Sequence, residues 1–191
     1  RTASRWSGRD WAASGSRFPA GLTLILRSWW EDDPGRLAQE IDDIGSVAPA
    51  LEWTPEGAGH FSGAFPVWPF TRPEPVGLSN LVDQPLRARV AYGHGFPAVP
   101  PILYPLEPQP DVTLRSFTQY HVLPNGGLCL LRDADQWDLF SRTSDLILKA
   151  SGWMIEFALF QRGKIPNMTA NGIVIDEQLD HLITATAEET A

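Results

Sequence analysis

Cysteine is nearly absent from this chain: one residue in 191, Cys129. A lone thiol closes no internal disulfide, which excludes the covalent staple of small secreted domains and makes a reducing cytoplasm the expected location. Long apolar runs are also lacking. The longest candidates, residues 22–26 and 102–106, fall far short of the roughly 20 residues that cross a bilayer, and no apolar stretch with a small-residue cleavage site stands near the start. Neither a membrane partner nor a secretory signal is expected. Positive charge is scarce, with 15 Lys and Arg against 23 Asp and Glu and a net charge of −8. Nucleic-acid binding draws its affinity from clustered cations, so nucleic acid is excluded as the expected partner. His60, His94 and His181 stand far apart without ligand spacing, and no glycine-rich loop ends in Lys-Ser or Lys-Thr. Neither a metal nor a nucleotide cofactor is expected.

What remains is the composition of a globular protein, 43% apolar and 20% charged, long enough for one packed domain. Residues 1–30 read as an irregular arm rich in Ser, Gly, Ala and Arg, with Trp6 and Trp11 as its large anchors and residues 22–26 as a short strand or packed lead-in. Residues 31–191 read as the domain. Its first element is a helix over about 34–44: Asp32 and Asp33 cap free N–H groups, Pro34 suits the first helical position, and Gly45 ends the run. Leu37, Ile41 and Ile44 follow at i, i+4, i+7 as the expected buried face, with Glu40, Asp42 and Asp43 turned to solvent.

From residue 50 onward, proline and glycine punctuate β-rich segments. Residues 51–54, 61–70 and 86–92 read as strands of an antiparallel meander, the last with arginines alternating with apolar residues. The prolines at 97, 100, 101 and 105 exclude helix and force an extended, edge-like path. A short extended run is expected over 114–120. Asn125-Gly126 then signals a tight turn, because both residue types tolerate positive φ, and Cys129 falls just past it. Helical spacing returns over 141–160, with Thr143 or Ser144 as the expected cap, and a short terminal helix is expected within 175–186.

This order of helix, meander, proline-rich crossing, turn, cysteine and long helix resembles the ubiquitin-conjugating (UBC) fold. Leu128-Cys129-Leu130 with Trp137 eight residues on is similar to the family's active-site cysteine and its following tryptophan. Asn125-Gly126 lies where many members place an Asn-Gly turn, and Phe96-Pro97, Pro100-Pro101 and Tyr104-Pro105 resemble the crossing after the third strand. The resemblance spans roughly residues 34–160. It implies an α+β domain with a central antiparallel sheet of about four strands, an N-terminal helix and a long helix after the cysteine. Gln119-Tyr120-His121 stands in place of the family's His-Pro-Asn, Leu131 in place of a common acidic residue, and the C-terminal tail is shortened. A histidine near the cysteine is similar to the divergent bacterial members found in ubiquitination-like and antiphage defence operons.

The resemblance implies that Cys129 takes a ubiquitin-like protein as a thioester from an adenylating activating enzyme and passes it to an amine on a target protein, with no dissolved cofactor. His121 is the expected second catalytic residue, either as an N–H donor to the developing oxyanion or as acceptor of the amine proton. Its other reading is a ring that orders the loop through a backbone hydrogen bond. Asp133 and Asp135 are candidates to orient the acceptor amine, although acidic residues after a strand are commonly just solvated. Tyr120 and Asn125 are candidates for the cleft. Arg132 can favour the thiolate only if it points back at the sulfur, and Trp137 is expected to be structural. Two alternatives stay open: a non-catalytic binding module on the same fold, and an unrelated cysteine hydrolase using Cys129 and His121.

Overall fold

The computed structural model describes residues 27–115, 117–170, 172–174 and 177–188. Its order is α1 (Trp29–Asp32), α2 (Pro34–Val47), β1 (Leu51–Thr54), β2 (His60–Ala64), α3 (Leu78–Leu81), β3 (Arg87–Ala91), β4 (Ile102–Glu107), α4 (Thr143–Gln161) and α5 (Asp180–Glu188). The four strands form one antiparallel sheet in the order β1-β2-β3-β4. The architecture is therefore α+β, with the expected meander, N-terminal helix and long helix after the cysteine. The expected arm over 1–20, the lead-in over 22–26 and the start of the terminal segment at residue 175 lie outside the described residues.

Asp33 caps α2 by accepting the Arg36 N–H, and Pro34 opens the helix as read from the sequence. The buried face differs from the expected one. Ile44 is buried, but Ile41 is 45% exposed and Glu40 only 1%. Leu37, Glu40, Ile44 and Val47 form the inward stripe, and the carboxylate is accommodated because it is fully paired. Arg36 reaches it at 2.9 Å and the Tyr92 hydroxyl donates to it at 2.7 Å, with Thr143 Oγ1 3.4 Å from the same hydroxyl. A buried charge held this way is tolerated, whereas an unpaired one costs several kcal/mol. Arg36 also donates to the carbonyls of Leu139 and Ser141, tying α2 to the segment that leads into α4.

Three strand-region expectations need correction. Residues 65–70 do not continue β2: Phe65 N–H still reaches the Leu86 carbonyl, but Pro66 and Pro69 have no N–H to extend the ladder. Residues 112–114 and 118–120 form 3₁₀ turns instead of an extended run, the first capped by Asp111. The proline-rich stretch is extended only in part: around Pro97 the chain turns, with Phe96 N–H on Gly93 O and Val99 N–H on Gly95 O, and only residues 102–107 are extended, as edge strand β4, which accommodates Pro105 opposite Ala88. Packed structure also begins ahead of residue 31. Ser28 bonds to the Gly57 carbonyl, and Trp29 is buried against Trp53, Tyr92 and Phe96.

The long helix α4 is apolar on nearly every side, as a helix with layers on both faces must be. Leu146, Ile147, Ala150, Trp153 and Phe157 share one core with Phe61, Ala88, Val90 and Leu103 of the sheet. Ile155, Ala158 and Leu159 share a second with Leu78 and Leu81 of α3 and Ile183 of α5. The expected caps at Thr143 and Ser144 are inside the helix and buried; the residue before it, Arg142, makes no side-chain cap. α5 is held by Arg72, whose guanidinium takes both oxygens of Asp180 at 3.0 and 3.1 Å while lying over Trp68 and Phe70.

Burial, and then the negative charge of Glu40, push the Tyr92 phenol well above its ordinary range. The folded chain keeps this proton at pH values where the unfolded chain releases it. The resulting stability is complete below about pH 10 and is lost as pH rises through the higher folded value. Urea unfolding measured from pH 8 to 12 should show this alkaline loss, and Tyr92→Phe should flatten it.

Candidate functional site

Cys129 lies between β4 and α4, and backbone hydrogen bonds fix it from both sides. Leu128 N–H donates to Leu103 of β4 at 2.8 Å, and Cys129 N–H donates to the His121 carbonyl at 2.8 Å. Between these anchors, the chain reverses at 123–127, with Gly126 N–H bonded to Leu123 O and Leu123 N–H to Gly127 O. The turn expected at Asn125-Gly126 is present with its roles shifted. Pro124 and Asn125 are its central pair, and only Gly126 takes the left-handed backbone, at φ 85°. The Asn125 side chain accepts the Gly127 N–H and donates to the Tyr104 hydroxyl. Asn125 therefore shapes the turn and does not line the groove beside the sulfur.

That groove has a volume of about 380 Å³. The half-buried Cys129 lines it with His121, Arg132, Lys149, Trp153 and Glu156, and with Met168, Thr169 and Ala170 opposite. Cys129 Sγ lies 3.6 Å from the Leu131 carbonyl, a long sulfur contact. His121 has φ 52°, the one described non-glycine residue at positive φ, and its Nε2 lies 2.9 Å from the Thr169 carbonyl. A carbonyl only accepts, so Nε2 carries the hydrogen, and in the neutral ring Nδ1 is an acceptor. The loop-ordering bond weighed for His121 is thus present, in a ring that shares the groove with the thiol.

Three α4 side chains at i, i+4, i+7 build one wall. Lys149 Nζ donates to the Leu130 carbonyl at 3.1 Å, Trp153 Nε1–H donates to the Tyr120 carbonyl at 3.0 Å, and Glu156 accepts from Thr169 at 2.6 and 2.9 Å. Arg132 lies over the opposite loop, donating to the Ala170 carbonyl. Its guanidinium is thereby turned to that loop, while its own N–H is taken by Gln136.

The remaining candidates are not brought to the groove. Asp133 and Asp135 are solvent-exposed in and beside a 3₁₀ turn. Tyr120 packs its ring on Phe160 and contributes its carbonyl to Trp153. Trp137 is buried and donates to the Pro97 carbonyl, in the structural role expected of it. Lys149, Glu156 and Thr169 also line the groove and are not among the residues expected there. The signal for the first two was present: they are the only ionisable side chains in residues 146–160, and their seven-residue spacing puts both on one stripe of a helix. Nothing in the sequence marked Thr169.

Among the described residues, no group of His, Cys, Asp and Glu could hold a metal ion, and no helix is long and apolar enough to cross a membrane. No model of a known protein family matches the chain, and no curated protein matches it closely enough to count as a relative.

Gly126 allows a test of how the turn holds the thiol. Gly126→Ala forces a Cβ into left-handed backbone, which costs about 1–2 kcal/mol. Urea unfolding should show a loss of that size, and iodoacetamide should alkylate native Cys129 faster than in the parent chain.

Proposed function

We propose that this chain is a ubiquitin-conjugating-like acyltransferase of divergent bacterial type, using Cys129 as the acyl carrier. The observation that carries the reading is a single groove in which the chain's only thiol, an imidazole and an ammonium meet, between an antiparallel meander and a long buried helix. The sequence resemblance to the UBC fold over residues 34–160 points the same way. The proposed partners are an adenylating activating enzyme, a ubiquitin-like protein and a target protein. The proposed setting, antiviral conjugation in the bacterial cytoplasm, rests on the resemblance alone.

In the first step the Cys129 thiolate attacks the C-terminal glycyl carbonyl of the modifier. A new C–S bond forms while the bond to the activating enzyme's sulfur breaks, and that sulfur leaves as thiolate. In the second step an amine attacks the same carbon, the C–N bond forms, and Cys129 departs as thiolate. The groove divides the supporting roles. The His121 Nε2–H is engaged by Thr169 O, so the ring serves as base through Nδ1 and takes the proton the amine loses. An ammonium has three donors and Leu130 O takes one from Lys149, which leaves Lys149 to stabilise the charge developing on the acyl oxygen.

The test supplies the intact chain with a peptide ending in Gly-Gly as an alkyl thioester, followed by free lysine, with products read by mass spectrometry. The expected result is a reductant-labile acyl group on Cys129 that passes to lysine at least ~10²-fold faster than the same thioester on the urea-unfolded chain. Cys129→Ala should carry no acyl group, and Lys149→Met should slow the transfer roughly 10²-fold. Transfer at the unfolded rate would leave a binding module, whereas cleavage of an ordinary peptide amide by the unloaded chain would favour the hydrolase.

A further inference from the structure

The mechanism above leaves unused the most deeply buried carboxylate beside the groove. Glu156 is 1% exposed, in the middle of the apolar helix α4. Burying a carboxylate there is costly unless its oxygens are well bonded. Thr169 reaches both oxygens: Oε2 accepts the Thr169 N–H at 2.6 Å and Oε1 accepts the Thr169 hydroxyl at 2.9 Å. The same hydroxyl oxygen accepts the Gly172 N–H at 3.0 Å, closing the loop on itself. Thr169 is therefore fixed at its amide and at its side chain, and its remaining polar group, the carbonyl, meets His121 Nε2 at 2.9 Å.

The order of these bonds gives them a direction. A charged acceptor makes the stronger hydrogen bonds, so Glu156 determines where the Thr169 peptide sits. That peptide determines where an acceptor is presented to the imidazole. An acceptor at Nε2 selects the neutral form with hydrogen on Nε2, and the partner of one ring nitrogen decides the protonation of the other. We infer that Glu156, acting through Thr169, is a positioning residue that holds His121 as its Nε2–H tautomer and so keeps Nδ1 the acceptor for the amine proton. This inference rests on the acyl-transfer reading of the groove.

In the transfer step the relay loses and gains no proton. The amine nitrogen bonds to the thioester carbon, the C–S pair leaves on Cys129, and the amine proton moves to Nδ1. The resulting imidazolium keeps its Nε2–H on Thr169 O and later returns the Nδ1 proton to solvent. The other charged or titratable groups on the groove wall are Cys129, Arg132 and Lys149. Arg132 donates to the Ala170 carbonyl and Lys149 to the Leu130 carbonyl, both backbone oxygens.

The tautomer is read directly from the ¹⁵N shifts of the His121 ring in the intact chain, followed over a pH series to their alkaline limit, with no acyl group present. The variants are Glu156→Gln, Thr169→Val and Thr169→Ser, each checked for native tryptophan fluorescence. The inference expects one protonated Nε2 and one unprotonated Nδ1 in the parent chain, and averaged ring shifts in Glu156→Gln and Thr169→Val. Lysine transfer from a Gly-Gly peptide thioester on Cys129 should fall at least ~10-fold in both, a modest share of what general-base catalysis supplies. Thr169→Ser, which keeps the hydroxyl, should restore shifts and rate. Hydrogen on Nδ1 in the parent chain, or unchanged ring shifts in both Glu156→Gln and Thr169→Val, would overturn the relay. If Glu156→Gln does not fold, the Val and Ser pair at 169 decides the matter. A fixed tautomer that responds to the variants in a chain unable to transfer the acyl group would sink the conjugation reading instead, so the two failures are distinguishable.

Discussion

Everything at the groove depends on α4 being buried on both sides. A helix clamped between a sheet and a second helical layer cannot rotate or slide without opening one of two cores, and each large apolar side chain so buried contributes about 1.5–3 kcal/mol. Because the helix is fixed, its polar side chains have fixed positions. Lys149, Trp153 and Glu156, spaced along one stripe, bind Leu130, Tyr120 and Thr169, which belong to three separate stretches of irregular chain. Those stretches carry the residue after Cys129, the residue before His121 and the acceptor of the His121 ring. Loops without regular structure thus inherit the rigidity of the helix, which is what a site needing sub-ångström placement requires.

Two buried glutamates play parallel parts. Glu40 on α2 and Glu156 on α4 are each about 1% exposed. Each is saturated by partners brought from elsewhere in the chain: Tyr92 for Glu40, beside the local Arg36, and Thr169 for Glu156. Neither adds much net stability, since desolvation offsets most of the attraction. What they supply is selection among packings that apolar contacts alone would leave similar in energy. Glu40 fixes α2 against β3's exit and α4's start, and Glu156 fixes the loop that receives the His121 ring.

Much of the fold was legible because its elements announce themselves through local chemistry. Pro34 after Asp33, the alternating arginines of β3 and the apolar spacing of α4 each depend on neighbours in sequence, and each element forms near its reading, although α2 does not stop at Gly45 and runs on to Val47. Two misreadings arose where distant packing decided. Ile41 was assigned inward over Glu40 because periodicity weighs hydrophobicity alone and cannot see Tyr92, 52 residues away, waiting for a carboxylate. Thr143 was read as a cap because its type favours that position, but tertiary packing drew it into the helix. The run over 114–120 is a different case, decided locally: it reads as extended from its composition, whereas the chain makes 3₁₀ turns at 112–114 and 118–120, the first held by the Asp111 side chain. Cys129 and His121, singled out through the family resemblance, do line one groove. Thr169 was not legible, since it acts through its backbone carbonyl and nothing in its identity signals that.

The central claim is that Cys129 carries an acyl group in the living cell. It is tested most directly by recovering the chain from its producing cells under acidic, thiol-free conditions and determining the mass of the Cys129 peptide, using a His121→Gln variant to slow discharge. The account predicts a C-terminal glycyl group on the sulfur, removed by hydroxylamine and more abundant in the variant than in the parent. Recovery of Cys129 as a bare thiol in both chains would contradict it.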